Sequence, residues 1–528
     1  MNHDVISMIF DAAEKYPSKI ALSQGNKKYT YRQVAKDIKS IAVNLRDLGL
    51  EPGDRFFFSV SPDPDGILLA LGIVASGGVI VFADPGTAPD LFEARRKLVK
   101  PRFAAAESIL YFASTKLVAP LVRRKGITMP DYRAIPVEQH FYAGKRLPGT
   151  PKNAISVETL RKPIEFTPMP VSDPSKESII VFTSGTTSNP KCVRHSRNSI
   201  GSGMASFIGK CGIDAESYIH TDHFNFGVTA MITGGQWDIP MSPPAKNVKK
   251  WVDGLLSRTV THTFLVPADT TLMLNELEKR GLTSDDLNLG VLSMGAAPVL
   301  PSLIKRVNRI LPATTVLAVY GMTEILPIAI VDGKEKITHS GDGDLAGKVQ
   351  PGVVAWIDNP DENGVGELAL AGPGLMLGYL GEDEKLEHRT GDMAIFNENK
   401  ELVLLGRIKD MLIRANKNIY PGLYEAGISA LPGVENCAII GVPDVYGEDI
   451  VVLVIVPENK SENASIVKNS IASELIGLLD GDAQPDIVVV LNEIPLSGRS
   501  NKPDRITLRK QMAEHVDVVR ILKEHDHG

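Results

Sequence analysis

A short apolar run followed by hydroxyl side chains and a lysine could bind a polyphosphate. Ser178–Phe182 is rich in β-branched residues, which predicts a short buried strand. Thr183–Ser188 then surrounds Gly185 with hydroxyl groups, a composition typical of loops. Such a loop offers backbone N–H groups and hydroxyl donors to an anion, and Lys191 adds a positive charge. The spacing differs from the G-x-x-x-x-G-K-[ST] phosphate loop, and the remaining alternative is a surface loop rich in Ser and Thr.

A carboxylate follows the end of another predicted strand. Val316–Tyr320 reads as that strand, and Gly321, Thr323 and Glu324 come directly after it. In open α/β sheets, ligands bind outside the carboxyl ends of the strands. A carboxylate at such an end, beside phosphates, suits Mg²⁺, which takes oxygen ligands. Glu324 is therefore the candidate metal ligand.

Small residues follow a third predicted strand, Val291–Met294. Gly295, Ala296 and Ala297 leave the backbone accessible, so that a flat ring such as adenine could pack against it. The alternative is a tight turn, and these residues alone do not separate the two interpretations.

Two histidines three residues apart, His220 and His223, could suggest a metal site. No third ligand follows at the usual spacing. Lining of a loop or pocket is therefore the favoured interpretation.

The elements that position these residues indicate an α/β protein of two or more domains. The chain has 528 residues, of which 43% are hydrophobic and 23% charged, as in globular proteins. Strands and helices alternate along it, which predicts a largely parallel sheet. The most apolar stretch, Ile67–Phe82, is too short and too interrupted by glycine to span a bilayer, so we expect a buried helix leading into a strand. Neither a membrane span nor a signal peptide is expected.

The net charge and the cysteines indicate which binding partners and which cellular compartment to expect. A formal net charge of −6 does not favour nucleic-acid binding. The three cysteines, Cys192, Cys211 and Cys437, show neither metal spacing nor a disulfide framework. This usage fits a reducing compartment, and we expect a cytoplasmic protein. The oligomeric state does not follow from the sequence.

Several motifs, taken in order, resemble those of the adenylate-forming superfamily, which includes acyl-CoA synthetases, peptide-synthetase adenylation domains and luciferases. The matching segments are 183–191 (TSGTTSNPK), 320–324 (YGMTE), 366–379 (GELALAGPGLMLGY), 390–392 (TGD), 406–410 (GRIKD) and 494–505 (IPLSGRSNKPDR). Three departures stand out. Ser188 and Asn416 replace glycines that are usual in the family, and one residue is added before Lys502.

The resemblance implies roles for individual residues. The β- and γ-phosphates of ATP would contact Thr183, Ser184, Gly185, Thr186, Thr187 and Lys191. The adenosine would contact Gly295, Ala296, Ala297, Tyr320, Gly321, Thr323, Asp392 and Arg407. Mg²⁺ would be held by Glu324 and Thr186. The acyl pocket would be lined by His223, Phe224, Ala318, Val319 and Leu326.

The resemblance also implies the domain organisation. We expect a large N-terminal domain, 1–406, with βαβ-type subdomains and a small β-barrel-like part. A small mobile α+β domain, 407–528, would follow it and would carry Lys502. Lys502 would bridge the attacking carboxylate and the α-phosphate, and Lys409 would be the hinge.

The implied reaction activates a carboxylic acid with ATP and Mg²⁺ and then transfers the acyl group to coenzyme A. The small and aliphatic pocket residues favour a medium- or long-chain monocarboxylic acid. Two alternatives stay open. Segments 83–86 (ADPG), 326–327 (LP) and 420–425 (YPGLYE) resemble β-lactone synthetases of olefin pathways, in which a β-hydroxy acid closes on itself. Ser188 and the altered lysine loop would also fit a non-catalytic nucleotide-binding homologue.

Overall fold

The structure, a computed structural model, describes most of the chain. The described residues are 3–124, 129–164, 167–183, 191–256, 259–341, 343–414, 417–443, 449–479, 483–497, 502–515 and 518. They divide into two compact units. Unit 1 comprises Met1–Phe264, Met322–Leu326 and Gly372–Leu386, and unit 2 comprises Leu265–Gly321, Pro327–Ala371 and Glu387–Gly528.

The strands alternate with helices through the first half of the chain and dominate the second half. They are β1 (Ile20–Gln24), β2 (Lys27–Thr30), β3 (Arg55–Ser59), β4 (Val79–Phe82), β5 (Phe103–Glu107), β6 (Gln139–Ala143), β7 (Ile155–Ser156), β8 (Glu177–Phe182), β9 (Cys192–Ser196), β10 (Tyr218–His220), β11 (Gln236–Asp238), β12 (His262–Leu265), β13 (Val291–Gly295), β14 (Thr315–Met322), β15 (Ile325–Asp332), β16 (Asp344–Val349), β17 (Val354–Asp358), β18 (Gly366–Ala371), β19 (Gly378–Tyr379), β20 (Glu387–Phe396), β21 (Leu402–Arg407), β22 (Leu412–Arg414), β23 (Lys417–Ile419), β24 (Val434–Pro443), β25 (Asp449–Pro457), β26 (Ile487–Val490), β27 (Leu496–Ser497) and β28 (Lys502–Pro503).

The helices vary from one to almost five turns. They are α1 (Val5–Lys15), α2 (Tyr31–Asp47), α3 (Pro64–Ala75), α4 (Pro89–Val99), α5 (Ser108–Ala113), α6 (Ala119–Arg124), α7 (Val157–Leu160), α8 (Arg197–Cys211), α9 (Phe224–Thr233), α10 (Pro244–Leu256), α11 (Pro267–Arg280), α12 (Pro301–Ile310), α13 (Gly333–Thr338), α14 (Pro421–Ser429), α15 (Ala464–Leu478) and α16 (Arg505–Ala513). None of the helices in the described parts of the chain is both long and apolar enough to cross a membrane.

The sheet of unit 1 that carries the hydroxyl-rich segment is largely parallel. Its strand order is β19-β9-β8-β4-β3-β5-β6-β7. In this order, β8, β4, β3, β5, β6 and β7 pair in parallel, each with the next. At the other edge, β9 pairs antiparallel with both β8 and β19. The predicted helix-to-strand transition within Ile67–Phe82 is present as the end of α3 followed by β4. Gly72 allows α3 to approach α2, because a Cβ there would lie 2.4 Å from the Cγ2 of Ile41.

A second group of strands in unit 1 has the order β12-β10-β11-β1-β2. In unit 2 the order is β17-β18-β20-β21-β16-β15-β14-β13. β13 and β14 pair in parallel, whereas the six strands β15, β16, β21, β20, β18 and β17 pair antiparallel, each with the next. Within the described residues, this antiparallel part is an open sheet, and so the expected barrel-like part is wrong. Its strands pair side by side and do not close on themselves.

The C-terminal part is a small α+β sandwich built on period-two strands. β24 and β25 pair antiparallel, and β26 runs parallel to β25. Ile439, Leu453 and Ile455 pack with α14 and α15 on one face of this sheet. Ala438 and Val454, the alternate residues, pack with α16 on the other face. Successive side chains of a strand point to opposite faces, so these apolar strands require helices on both sides.

Candidate active site

The hydroxyl-rich segment connects two antiparallel strands. β8 ends at Phe182, which lies opposite Cys192 of β9. The Thr183 N–H donates to the carbonyl oxygen of Lys191 at 3.1 Å, which extends the pairing by one step. The predicted strand is therefore present. Ser184, Gly185, Thr186, Thr187 and Ser188 lie outside the described residues.

The Lys191 side chain lies close to a tyrosine that the sequence did not single out. Its Nζ is 4.8 Å from the ring centroid of Tyr379, a distance typical of a cation–π contact. The Tyr379 hydroxyl donates a hydrogen bond to Oε1 of Glu324 at 2.7 Å. The candidate phosphate lysine and the candidate metal carboxylate therefore contact the same side chain.

Glu324 is 6% exposed, and its carboxylate forms no ion pair with a Lys or Arg of the described part of the chain. A buried carboxylate without a paired cation suits a hard metal ion, and Mg²⁺ usually binds through one or two carboxylates together with substrate phosphates and water. Glu324 therefore fits a Mg²⁺ ligand, whereas Thr186 lies outside the described residues. The described residues contain no cluster of three His, Cys, Asp or Glu side chains that could hold a metal by itself.

A buried histidine orients the backbone that leads into Glu324. Nε2 of His195 lies 2.7 Å from the Thr323 carbonyl oxygen, and Nδ1 lies 3.0 Å from Oγ of Ser199. Burial lowers the pKa of His195, although the Thr323 carbonyl and the charge of Glu324 oppose this shift. The imidazole is therefore neutral at pH 7, with Nε2–H as the donor to Thr323.

The candidate adenine segment follows β13, which lies beside β14. Met294 lies opposite Ala318, and Gly295 lies opposite Val319. Ala296 has a φ of +65°, a left-handed conformation that is unfavourable for a residue with a Cβ. Strained backbone of this kind is characteristic of functional loops. Gly295 is buried, Ala296 is exposed and Ala297 is partly buried.

Three predicted nucleotide residues of unit 2 meet at the Asp392 carboxylate. The Tyr320 hydroxyl donates to Oδ2 at 2.5 Å, and Arg407 Nε lies 2.5 Å from Oδ1. Burial, together with the charge of Asp392, raises the pKa of Tyr320 well above its ordinary value, so the phenol keeps its proton. A carboxylate is an acceptor-only group, which is the property expected of a residue that binds ribose hydroxyls. Gly321 follows Tyr320 at the end of β14 and is partly buried.

The two aromatic pocket candidates lie in unit 1 at the start of α9. The ring of His223 lies 4.7 Å from that of Phe264. The ring of Phe224 lies 6.5 Å from Phe82 and 6.1 Å from Trp237. Burial lowers the pKa of His223.

His220 does not join these aromatic residues, because its Nδ1 is 2.7 Å from Oδ2 of the buried Asp238. The lining roles of His223 and Phe224 stay predictions. Of the other pocket candidates, Ala318 and Val319 are buried and Leu326 is partly buried.

The lysine loop and the expected hinge both lie in unit 2. Lys409 is exposed, in a 3₁₀ turn over Ile408–Asp410. The backbone of Lys502 in β28 pairs with that of Ser497 in β27. The side chain of Lys502 lies outside the described part of the chain. Arg505, three residues further on, places Nη2 2.6 Å from Oε2 of Glu425.

Sequence reasoning missed the roles of Tyr379, His195 and Arg505. Tyr379 and Arg505 lie within segments that matched the family, 366–379 and 494–505, and this was the available signal. His195 lies outside every segment that carried the resemblance.

Comparisons with known proteins identify the family of the chain. The profile of the AMP-binding enzyme family matches residues 9–380, and that of the AMP-binding enzyme C-terminal domain matches residues 424–502. A mitochondrial medium-chain acyl-CoA ligase of Bos taurus is 26% identical, over 98% of this chain and 89% of the relative. The 3-[(3aS,4S,7aS)-7a-methyl-1,5-dioxo-octahydro-1H-inden-4-yl]propanoyl:CoA ligase of Rhodococcus jostii is 25% identical, over 82% and 85% of the two chains.

Among solved structures, the amide bond synthetase McbA of Marinactinospora thermotolerans superposes with a TM-score of 0.78 at 20% identity, covering 96% of this chain and 99% of that chain. This likeness confirms the mixed α/β fold with a large N-terminal and a small C-terminal domain. The prediction of an adenylate-forming protein is confirmed, and the relatives support an AMP-forming acid–thiol ligase. The chain belongs to the family of AMP-binding enzymes.

Proposed function

We propose that this protein activates a medium- or long-chain fatty acid as its acyl-AMP and transfers the acyl group to coenzyme A. The observation that carries the proposal is the contact of Lys191 and Glu324 with the same tyrosine, Tyr379 of β19. A cation and a buried carboxylate that share one side chain support a site for phosphates and a metal ion. Acyl-CoA ligases among the relatives support the same reaction class.

In the first half-reaction, a carboxylate oxygen of the acid attacks the α-phosphorus of ATP. The bond between that phosphorus and the α,β-bridging oxygen breaks, and pyrophosphate leaves with the electron pair. The chain's task is to position the reactants and stabilise negative charge. Lys191, Thr183 and the hydroxyl residues would bind the β- and γ-phosphates, and Lys502 would bridge the carboxylate and the α-phosphate. Mg²⁺, held by Glu324 and Thr186, supplies a positive charge that offsets the charge of the phosphates.

The nucleotide would be oriented by residues of unit 2. Asp392 would accept hydrogen bonds from the ribose hydroxyls, with Tyr320 and Arg407 holding its carboxylate in place. The adenine would pack on the Gly295–Ala297 backbone, where the left-handed Ala296 turns the chain.

In the second half-reaction, the thiolate of coenzyme A attacks the acyl carbon, the acyl–oxygen bond breaks and AMP leaves. The proton of the thiol passes to solvent. We propose that residues 407–528 turn about Lys409 between the two steps, so that Lys502 withdraws. The boundary between the domains would thus lie at residues 406 and 407. Cys192, Cys211 and Cys437 are buried and form no disulfide, which is compatible with a cytoplasmic location.

The aliphatic character of Ala318, Val319 and Leu326 supports a monocarboxylic acid, because no cation among these residues would meet a second carboxylate. The fold does not determine the acceptor, since it also hosts an amide bond synthetase. Exchange of labelled pyrophosphate into ATP, measured over a panel of acids, tests the first step. Fatty acids should give the fastest exchange. Fastest exchange with dicarboxylates or free amino acids would contradict the proposed substrate class, and no exchange with any acid would favour the non-catalytic alternative.

A further inference from the structure

Tyr379 contacts three charged side chains, two of which are candidate site residues. Its ring centroid lies 4.8 Å from Nζ of Lys191 and 5.1 Å from Nζ of Lys385. Its hydroxyl lies 2.7 Å from Oε1 of Glu324. The backbone of Tyr379 is fixed by β19, in which it lies opposite Val193 of β9. One rigid side chain therefore contacts both lysines and the carboxylate.

The Tyr379–Glu324 hydrogen bond runs from the tyrosine hydroxyl to the carboxylate. The hydroxyl has a proton to donate, whereas a carboxylate can only accept. Within the described parts of the chain, no other side chain donates a hydrogen bond to Glu324. Oε1 is thus oriented by Tyr379.

The two lysines act on the ring of Tyr379 rather than on its hydroxyl. An ammonium group over an aromatic ring is attracted by the negative face of the ring. Lys191 directly follows the hydroxyl-rich segment, and Lys385 forms an ion pair with Glu382 at 2.9 Å. The ring therefore restrains two long and flexible cations near the expected phosphates.

We propose that Tyr379 is a positioning residue for Mg²⁺·ATP: its hydroxyl orients Glu324 toward the metal while its ring restrains Lys191 and Lys385 near the phosphates. This inference rests on the proposed function, which assigns Glu324 to the metal and Lys191 to the phosphates. Residues that orient a metal ligand typically change metal affinity by 10- to 100-fold when they are replaced. A tyrosine with only a packing role would not affect the metal dependence of ATP binding.

Tyr379→Phe keeps the ring and removes only the hydroxyl, so it tests the orienting role. The dissociation constant of ATP is measured by calorimetry with saturating Mg²⁺ and again with EDTA, and the ratio reports the contribution of the metal. We expect Tyr379→Phe to reduce this ratio about tenfold and to leave binding in EDTA unchanged. Tyr142→Phe is the matched control, because Tyr142 is a buried tyrosine of the same unit, on β6, and it should leave both constants unchanged.

A double-mutant cycle separates an effect through Glu324 from an independent one. If Tyr379 acts through the carboxylate, Tyr379→Phe should change the ratio little in a Glu324→Gln background. An unchanged ratio in Tyr379→Phe, or equal effects in the two backgrounds, would overturn the inference. If Tyr379→Phe does not fold, Lys385→Met should raise the dissociation constant of ATP about two- to fivefold, as expected for a lost cation–π contact near the phosphates, and Lys385→Arg should restore it. No effect of Lys385→Met would then overturn the inference.

The same measurements distinguish this inference from the proposed function. If the wild-type protein exchanges pyrophosphate with no acid but Tyr379→Phe still reduces the ratio, the proposed reaction is wrong and the positioning role stands. If exchange is normal and the ratio is unaffected by Tyr379→Phe, the positioning role alone is wrong. ATP binding by the wild type that does not depend on metal would contradict both.

Discussion

Arg505 and Glu425 form a close ion pair, in which Nη2 of the arginine lies 2.6 Å from Oε2 of the glutamate. Arg505 Nη1 also donates to the Ile439 carbonyl oxygen at 2.7 Å, and the Ile439 N–H donates to Oε1 of Glu425 at 2.7 Å. This network joins the start of α16 to α14 and to the middle of β24. It therefore restrains the chain three residues after Lys502.

Arg505→Met should slow acyl-AMP formation, because the backbone next to Lys502 would lose this restraint. Hydrogen bonds to charged groups contribute about 1.5–3 kcal/mol each, so we expect a rate loss of about tenfold or more, with a lower thermal midpoint. Pyrophosphate exchange measures the rate, and calorimetry measures the midpoint. Lys510→Met, an exposed change on the same helix, is the control. Normal exchange in Arg505→Met would show that the ion pair has no part in positioning the lysine.

Lys502→Ala should abolish acyl-AMP formation and leave ATP binding nearly intact. The lysine would stabilise charge only as the carboxylate attacks, so its loss should cost about 10²–10³ in rate. Pyrophosphate exchange and the ATP dissociation constant, measured on the same preparation, separate the two effects. Near-normal exchange would refute the role of Lys502, and the extra residue in its loop makes this result especially informative.

Ala296→Gly should stabilise the protein, because glycine tolerates the φ of +65° at this position. A left-handed conformation costs a residue with a Cβ about 1–2 kcal/mol, part of which is offset by the greater freedom of glycine in the unfolded chain. We expect a net gain of about 0.5–1 kcal/mol, seen as a higher thermal midpoint.

Ala297→Gly is the control for this change. Ala297 is not among the residues with positive φ, so glycine there should destabilise by about 0.5–1 kcal/mol. A lower midpoint for both variants would contradict the strain at Ala296.

Stability should fall as the pH drops below about 6.5, partly because of His195. Burial holds the pKa of this imidazole below its ordinary value of 6.5, so the unfolded chain binds a proton below that pH before the folded chain does. The contribution of His195 is present above pH 6.5 and is lost as the pH falls toward the lower folded-state pKa. As the pH is lowered, the free energy of unfolding of His195→Gln should therefore fall less steeply than that of the wild type. The difference in slope should be up to about 1.4 kcal/mol per pH unit. Urea unfolding at pH 7.5 and 5.5 measures this difference, and equal slopes would contradict it.

Local patterns predicted the elements of the site better than the contacts between them. The strand before Thr183 and the small residues after β13 followed from composition and periodicity, because both are short-range signals. The Tyr379–Glu324 hydrogen bond could not be predicted, since the two residues lie 55 positions apart and meet only in the folded chain.

The same limit applies to the buried and the strained positions. His195 lies 128 positions from Thr323, and its burial depends on how α8 packs in the folded chain. The left-handed Ala296 contradicts the usual preference of alanine, so propensity would predict a different backbone there. The expected barrel-like part came from the family resemblance and was wrong. The sequence pattern could not correct it, because alternating strands are compatible with both an open and a closed antiparallel sheet.

The most direct test of the central claim, transfer of the acyl group to coenzyme A, is to identify the acceptor of that group. The protein is incubated with ATP, Mg²⁺ and either a simple fatty acid or a racemic 2-alkyl-3-hydroxy fatty acid, with and without coenzyme A, and AMP and acyl products are identified by mass spectrometry and NMR. An acid–thiol ligase should release AMP in proportion to coenzyme A and accumulate the thioester. AMP release from the hydroxy acid without thiol, with loss of water and no thioester from any simple fatty acid, would contradict the ligase and favour a β-lactone synthetase.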